Sequence, residues 1–327
     1  MRRYVYHTLH PEIYHGYGKS APYFEGWYYK LIDASEQHRY AIIPGIFKAI
    51  DPAEDHAFIQ VLDGMTGKAT YHRFPSSAFW AHPEKFEVRI GDNHFRADGI
   101  TLNINDDQLR LQGDLHFEGL APYPVTLNAP GIMGWYGWVG FMECYHGVVS
   151  LDHTLRGTFT VNEQTITFDG GRGYIEKDWG QNFPSGYVWQ QSNHFRTPGT
   201  SLTASIAMTP FIQRTFPGFI IALWHHGMLF RLTTYTGAVT EQLMLTDDTV
   251  QWVARDSKYR LEMTSERKSG GLLRAPIRTE MHKRVDETMQ SSVRVKFTRL
   301  DGTILLDDTG RNAALEVHGD LSGLITR

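Results

Sequence analysis

The chain has 327 residues, enough for about two domains, and 32 Lys+Arg against 36 Asp+Glu leave a net charge of −4 at pH 7. That balance lacks the clustered basic surplus of a nucleic-acid binder, and the single cysteine, Cys144, excludes an intrachain disulfide and an all-cysteine metal site. Charged residues at 21% and apolar residues at 41% describe a folded chain, and 13% aromatics is rich for a globular one.

The first ten residues lack the apolar core of a secretory signal and leave no room for a transit peptide, so the expected compartment is cytoplasmic. From there the dominant period is two. Leu109, Leu111, Leu115 and Phe117 alternate with polar residues, as do Tyr259, Leu261 and Met263, and then Val293, Val295 and Phe297. Such alternation marks strands with one wet and one buried face. Turn signals punctuate them at Asp63-Gly64, Asp98-Gly99, His226-Gly227 and Asp301-Gly302. The stretch between Glu118 and Glu143 is uncharged but carries Pro122, Pro124 and Pro130, so it is no spanning helix. Within it the glycine-spaced segment 131–147, with Trp135, Tyr136, Trp138 and Phe141, reads either as a barrel plug or as an apolar lid. Only Arg278 to Met289 allows a turn or two of helix. The fold expected is all-β, barrels or sandwiches of short antiparallel strands, with domains at 1–183 and 184–327.

Several familiar sites are missing: no H-E-x-x-H, Walker A, strand-linked G-x-G-x-x-G or G-x-S-x-G occurs. Cys144 has His146 too near in sequence to argue for a thiolate pair, and no metal is expected. The dense segment is 173–184, GYIEKDWGQNFP. As a strand it puts Tyr174, Glu176 and Asp178 on one face, the carboxylates roughly 6–7 Å apart. Facing an apolar space, one carboxyl pKa would rise and a neutral acid could donate a proton; alternatively Lys177 or Arg172 neutralises the pair. Flanking aromatic strands hold Glu25, Trp27 and Tyr29, then Trp189, Gln191 and Asn193. Their rings either fill the core or, as with Trp27, Trp179 and Trp189, face a transient carbocation.

The runs FEGWYYK (24–30), GYIEKDWGQNFP (173–184), VWQQSNHF (188–195) and LLRAP (272–276) resemble the tocopherol cyclase family. The resemblance implies two tandem lipocalin-like β-barrel domains, shared with the carotenoid 1,2-hydratases. It also implies acid-initiated cyclisation or hydration of a prenyl alkene, without a cofactor, on an isoprenoid or prenylated quinol. Carried over residue by residue, Tyr174 and Glu176 become catalytic, with Asp178 standing where the family usually has Asn. Glu25, Trp27, Tyr29, Trp179, Trp189, Gln191 and Asn193 would line the substrate, and Trp135 and Trp138 would close over it. Partners expected are a hydrophobic small molecule and a peripheral membrane contact for its pick-up, with no nucleic acid. A lipocalin-like carrier that binds without transforming is the alternative reading.

Overall fold

Side chains that alternate between oil and water need sheets with one face on a core, and strands dominate the computed structural model, which describes residues 2–211 and 214–326. The first sheet has 12 strands: Tyr23–Ile32, Arg39–Lys48, His56–Asp63 and Ala69–Pro75 run outward on one side, and Arg172–Gly180, Cys144–Val161, Arg110–Glu118, Gly99–Asn105, Asn93–Arg96, Glu87–Ile90 and Phe79–Ala81 on the other, with Gln164–Thr167 on Cys144–Val161. The second has 10: Gly186–Ser192, Ser201–Phe211, Arg214–His225 and Met228–Thr233 run outward on one side, and Ile304–Gly319, Met281–Arg299, Tyr259–Glu266, Thr249–Arg255 and Val239–Leu245 on the other, with Gly271–Pro276 on Met281–Arg299. In each, an antiparallel meander brings its last strand back beside its first: Arg172–Gly180 joins Tyr23–Ile32, and Ile304–Gly319 joins Gly186–Ser192. This shared topology makes the two units tandem lipocalin-like folds. The expected closed barrels are open, since no ladder joins the two outermost strands of either sheet among the described residues.

Two compact units result, Met1–Phe183 with Leu272–Arg284, and Pro184–Gly271 with Val285–Arg327. Each has its own core. In the first, Tyr29 packs against Phe86, Phe95 and Phe117, and Phe159 meets Phe168 edge-on, so aromatic rings fill the interior. In the second, Trp252 meets Phe219 edge-on among Val188, Leu202 and Phe297.

Two local features differ from the sequence expectation. Arg278 to Met289 forms no helix: a short bend leads into the strand Met281–Arg299, where Met281, Val285 and Met289 are buried. A seven-residue helix, Arg2–Thr8, precedes the first strand. At the turn His226-Gly227 both residues have positive φ (50° and 73°), the left-handed pair a two-residue hairpin needs. Asn162-Glu163 makes a similar turn without glycine (47° and 77°). No helix among the described residues is long and apolar enough to cross a membrane.

Candidate active site

Along a strand, successive side chains leave opposite faces. Over Arg172–Gly180 this places Ile175, Lys177 and Trp179 on the core side of the first sheet, and Tyr174, Glu176 and Asp178 on the other. Strand register then supplies the neighbours. Tyr28 and Val148 flank Glu176, Lys30 flanks Tyr174, and His146 stands directly opposite Asp178.

His146 bridges the two carboxylates. Its Nδ1 is 2.9 Å from Asp178 Oδ1 and its Nε2 is 3.4 Å from Glu176 Oε2. The Tyr174 hydroxyl donates to that same Glu176 oxygen at 2.5 Å. Tyr174 and Glu176 are buried, at 0% and 4% exposure, whereas the Asp178 side chain keeps 29%. The row thus runs from a half-buried carboxylate, through an imidazole, to a buried carboxylate and phenol. Burial alone would push the His146 pKa down; Glu176 and Asp178 outweigh it and hold the ring well above its usual value. The imidazolium is therefore the resting form near neutrality.

Neither cation expected from the sequence neutralises this pair. Lys177 points into the core, and the Arg172 Nε donates to Asp152 Oδ1 at 3.0 Å. The counter-charge comes from His146. A histidine whose folded pKa is raised contributes stability that is fully present below its unfolded pKa of about 6.5 and is lost as pH rises through the folded value. The stability gap between wild type and His146→Gln is accordingly expected to be widest at mildly acidic pH and to shrink as pH climbs. Urea unfolding of both proteins across that range measures it, and a gap indifferent to pH would contradict the bridging role. One nitrogen of His146 and one oxygen each of Glu176 and Asp178 also lie within 4.8 Å of one another. This donor set can gather a divalent metal, although a proton on the ring satisfies the same geometry.

The core side of the strand holds a second charged cluster. The Lys177 ammonium bonds Glu25 and donates to the Ile13 carbonyl at 2.5 Å, and both Lys177 and Glu25 are 0% exposed. It also lies 4.7 Å from the Trp27 ring centre and 4.6 Å from that of Trp179. Glu25 accepts from the His15 backbone N–H and from the Tyr23 hydroxyl. Burial would raise the Glu25 pKa, but Lys177 and His15 hold it down at about 2. The cation these two indoles face is thus a lysine of the protein itself. Tyr29 is equally structural, its hydroxyl donating to the Arg96 carbonyl at 2.9 Å inside the filled core.

The sequence-derived candidates therefore divide. Tyr174, Glu176 and Asp178 come together, with His146 added. Glu25, Trp27, Tyr29 and Trp179 lie on the opposite face of the same sheet. Trp189, Gln191 and Asn193 belong to the second unit and are buried, Trp189 and Gln191 on the sheet face away from that unit's core. Tyr187, on the same face, donates to Glu316 at 2.6 Å. Trp135 and Trp138 sit in a short 3-10 turn, Gly134–Trp138. That loop is fastened by Tyr145, whose hydroxyl donates to the Val139 carbonyl and whose ring stacks on Trp179, across the sheet from Glu176. Cys144 is half-buried, and its thiol pKa is pushed well up, first by desolvation and then by Asp178, which disfavours the thiolate. His146 is the residue that sequence reasoning misses, because its 32-residue separation from Asp178 hides the pairing.

The sequence profile of the "Tocopherol cyclase-like" family matches residues 124–319. The chain belongs to the tocopherol cyclase-like family. Over 202 residues it is 27% identical to a chloroplastic tocopherol cyclase of Zea mays, an alignment covering 57% of this chain and 41% of the maize protein. A probable chloroplastic tocopherol cyclase of Oryza sativa subsp. japonica is 24% identical over 211 residues, 60% of this chain and 44% of that one. The chain thus aligns with less than half the length of these curated relatives. Among solved structures, CghA with Sch210972 superposes with a TM-score of 0.53 at 12% identity, covering 91% of this chain and 89% of that one. At that identity the likeness speaks for the fold alone. The matched span contains the Tyr174–Glu176–Asp178 strand and His146, while the FEGWYYK block lies outside it.

Proposed function

We propose that this member of the family is an acid catalyst that closes a ring on a prenylated hydroquinone. A single observation carries the reading: a buried carboxyl, Glu176, is held by a phenol and lies within ion-pair reach of an imidazolium that connects it to a half-buried carboxylate. At rest the proton sits on His146. An apolar substrate that displaces water over this face penalises the charged carboxylate, which favours moving the proton from His146 Nε2 to Glu176. Glu176 then protonates the less substituted carbon of the alkene. The phenolic oxygen adds to the tertiary cation, forming the C–O bond, and its proton returns to Glu176. One proton enters and one leaves, no electrons change hands, and no cofactor is required by this chemistry. Asp178 holds the His146 ring through Nδ1 and Tyr174 fixes Glu176 Oε2, so both act by positioning the donor.

Trp27 and Trp179 take no part in this scheme, because their rings are committed to Lys177 on the other side of the sheet. Incubation with a prenylated hydroquinone, followed by extraction and chromatography, tests the proposal. A ring-closed isomer of unchanged mass is expected. Unaltered, tightly bound ligand would make the protein a carrier, and a product heavier by one water would make it a hydratase.

A further inference from the structure

In the FEGWYYK run, Phe24, Glu25, Trp27 and Tyr29 are committed to packing and to the buried ion pair, but the glycine has no such task. Gly26 sits inside the strand Tyr23–Ile32, paired with Asp178 on one side and with Gly45 on the other. Glu25 and Trp27 face the core, so Gly26 opens on the face that carries Glu176 and Asp178. Its φ lies outside the left-handed region, and a Cβ there would meet only the Pro44 carbonyl oxygen at 3.5 Å and Ile43 Cγ2 and Phe58 Cζ at 3.8 Å. Those are ordinary contacts. Gly45 is the opposite case: its Cβ would fall within 3.0 Å of the Phe58 ring and of the Glu25 carbonyl oxygen, so packing requires that glycine. A glycine inside a strand weakens it, and one that neither backbone nor packing demands is the mark of a close approach by a ligand.

The missing side chain leaves a notch beside Asp178. Ile43 and the edge of the Phe58 ring wall it, and Tyr71 stacks on Phe58 at 5.4 Å and holds that ring in place. Gly26 itself is half-buried. Asp178 stands at the rim with its side chain 29% exposed. Its Oδ1 is taken by His146, while its Oδ2 accepts no hydrogen bond among the described residues. Glu176 lies two residues along the same strand, on the order of 6–7 Å away, close to the span between the two oxygens of a para-dihydroxybenzene. A flat apolar recess with an acceptor at its rim fits a hydroxylated aromatic ring.

We propose that the Gly26 notch seats the hydroquinone headgroup, the ring resting over the glycine against Phe58 and the hydroxyl para to the ring-closing one donating to Asp178 Oδ2. The inference rests on the ring closure proposed above and makes Gly26 a specificity-determining residue. The probe is methylhydroquinone, which lacks the prenyl chain and cannot cyclise, titrated calorimetrically into the full chain under argon beside thermal unfolding. Gly26→Ala is expected to raise Tm by roughly 1–4 °C, because an alanine that fits replaces a strand glycine. The same methyl group is expected to weaken probe binding by roughly tenfold or more, and Gly26→Val to weaken it further and to raise KM for the prenylated hydroquinone. Gly45→Ala is expected to lower Tm. A Gly26→Ala protein less stable than wild type would make this glycine structural and overturn the inference. So would full affinity for the probe in either Gly26 variant, or no binding of the probe to wild type. The two readings fail separately. Ring closure with a KM that Gly26→Val leaves unchanged sinks the notch alone, whereas probe binding that Gly26→Val abolishes, with prenylated substrate returned unaltered by wild type, sinks the ring closure and supports the notch.

Discussion

Replacing Glu176 with Gln is expected to leave the protein folded and to lower turnover of a prenylated hydroquinone by roughly 10²–10⁴-fold, the range of a positioned general acid. Gln keeps the size of Glu and an oxygen to accept from Tyr174, but it has no proton to give an alkene. The unfolding midpoint is expected to fall only modestly, because Glu176 lies off the core side of the sheet and Asp178 still holds the His146 ring. Steady-state kinetics beside thermal unfolding reads both quantities. Activity close to wild type in a folded Glu176→Gln protein would remove Glu176 as donor. If His146 stores the proton, His146→Gln is expected to lower the rate as well and to flatten its pH profile.

The largest loss of stability is expected on the other face of the strand. Lys177→Met leaves the Glu25 carboxylate buried at 0% exposure without its cation, and breaking a buried pair from one side costs about 3–5 kcal/mol. For a unit of this size that is a fall in Tm of roughly 6–20 °C. Adding Glu25→Gln removes the orphaned charge, and the double variant is expected to recover much of the loss, the signature of a coupled pair. A Lys177→Met protein as stable as wild type would contradict the pair. The pH dependence has the opposite sign to that of His146. Because the Glu25 pKa is lowered to about 2, its contribution is present above the unfolded carboxyl value of about 4.3 and is lost as pH falls towards the folded one.

Much of this is legible in the residues alone. Alternation marks the strands, and the parity of 174, 176 and 178 puts the phenol and the two carboxylates on one face with no coordinates at all. Parity cannot say which face meets the core. That is why Trp27 and Trp179, on the core side with Lys177, read equally well as a wall around a reacting cation. His146 is hidden for another reason. Its pairing depends on the register between Cys144–Val161 and Arg172–Gly180, a ladder interrupted by irregularities between Val148 and Ser150 and between Ser150 and His153. The helical look of Arg278–Met289 fails similarly. Apolar residues at Met281, Val285 and Met289 recur at four-residue intervals, which suits a helix and equally suits every second inward position of a strand.

The most direct measurement of proton delivery to carbon is turnover in deuterium oxide. Wild-type protein and a prenylated hydroquinone should yield a cyclised product carrying one deuterium on the carbon beside the new C–O centre, and Glu176→Gln should yield almost none. A ring-closed product without deuterium on carbon, formed by wild type, would contradict protonation of the alkene.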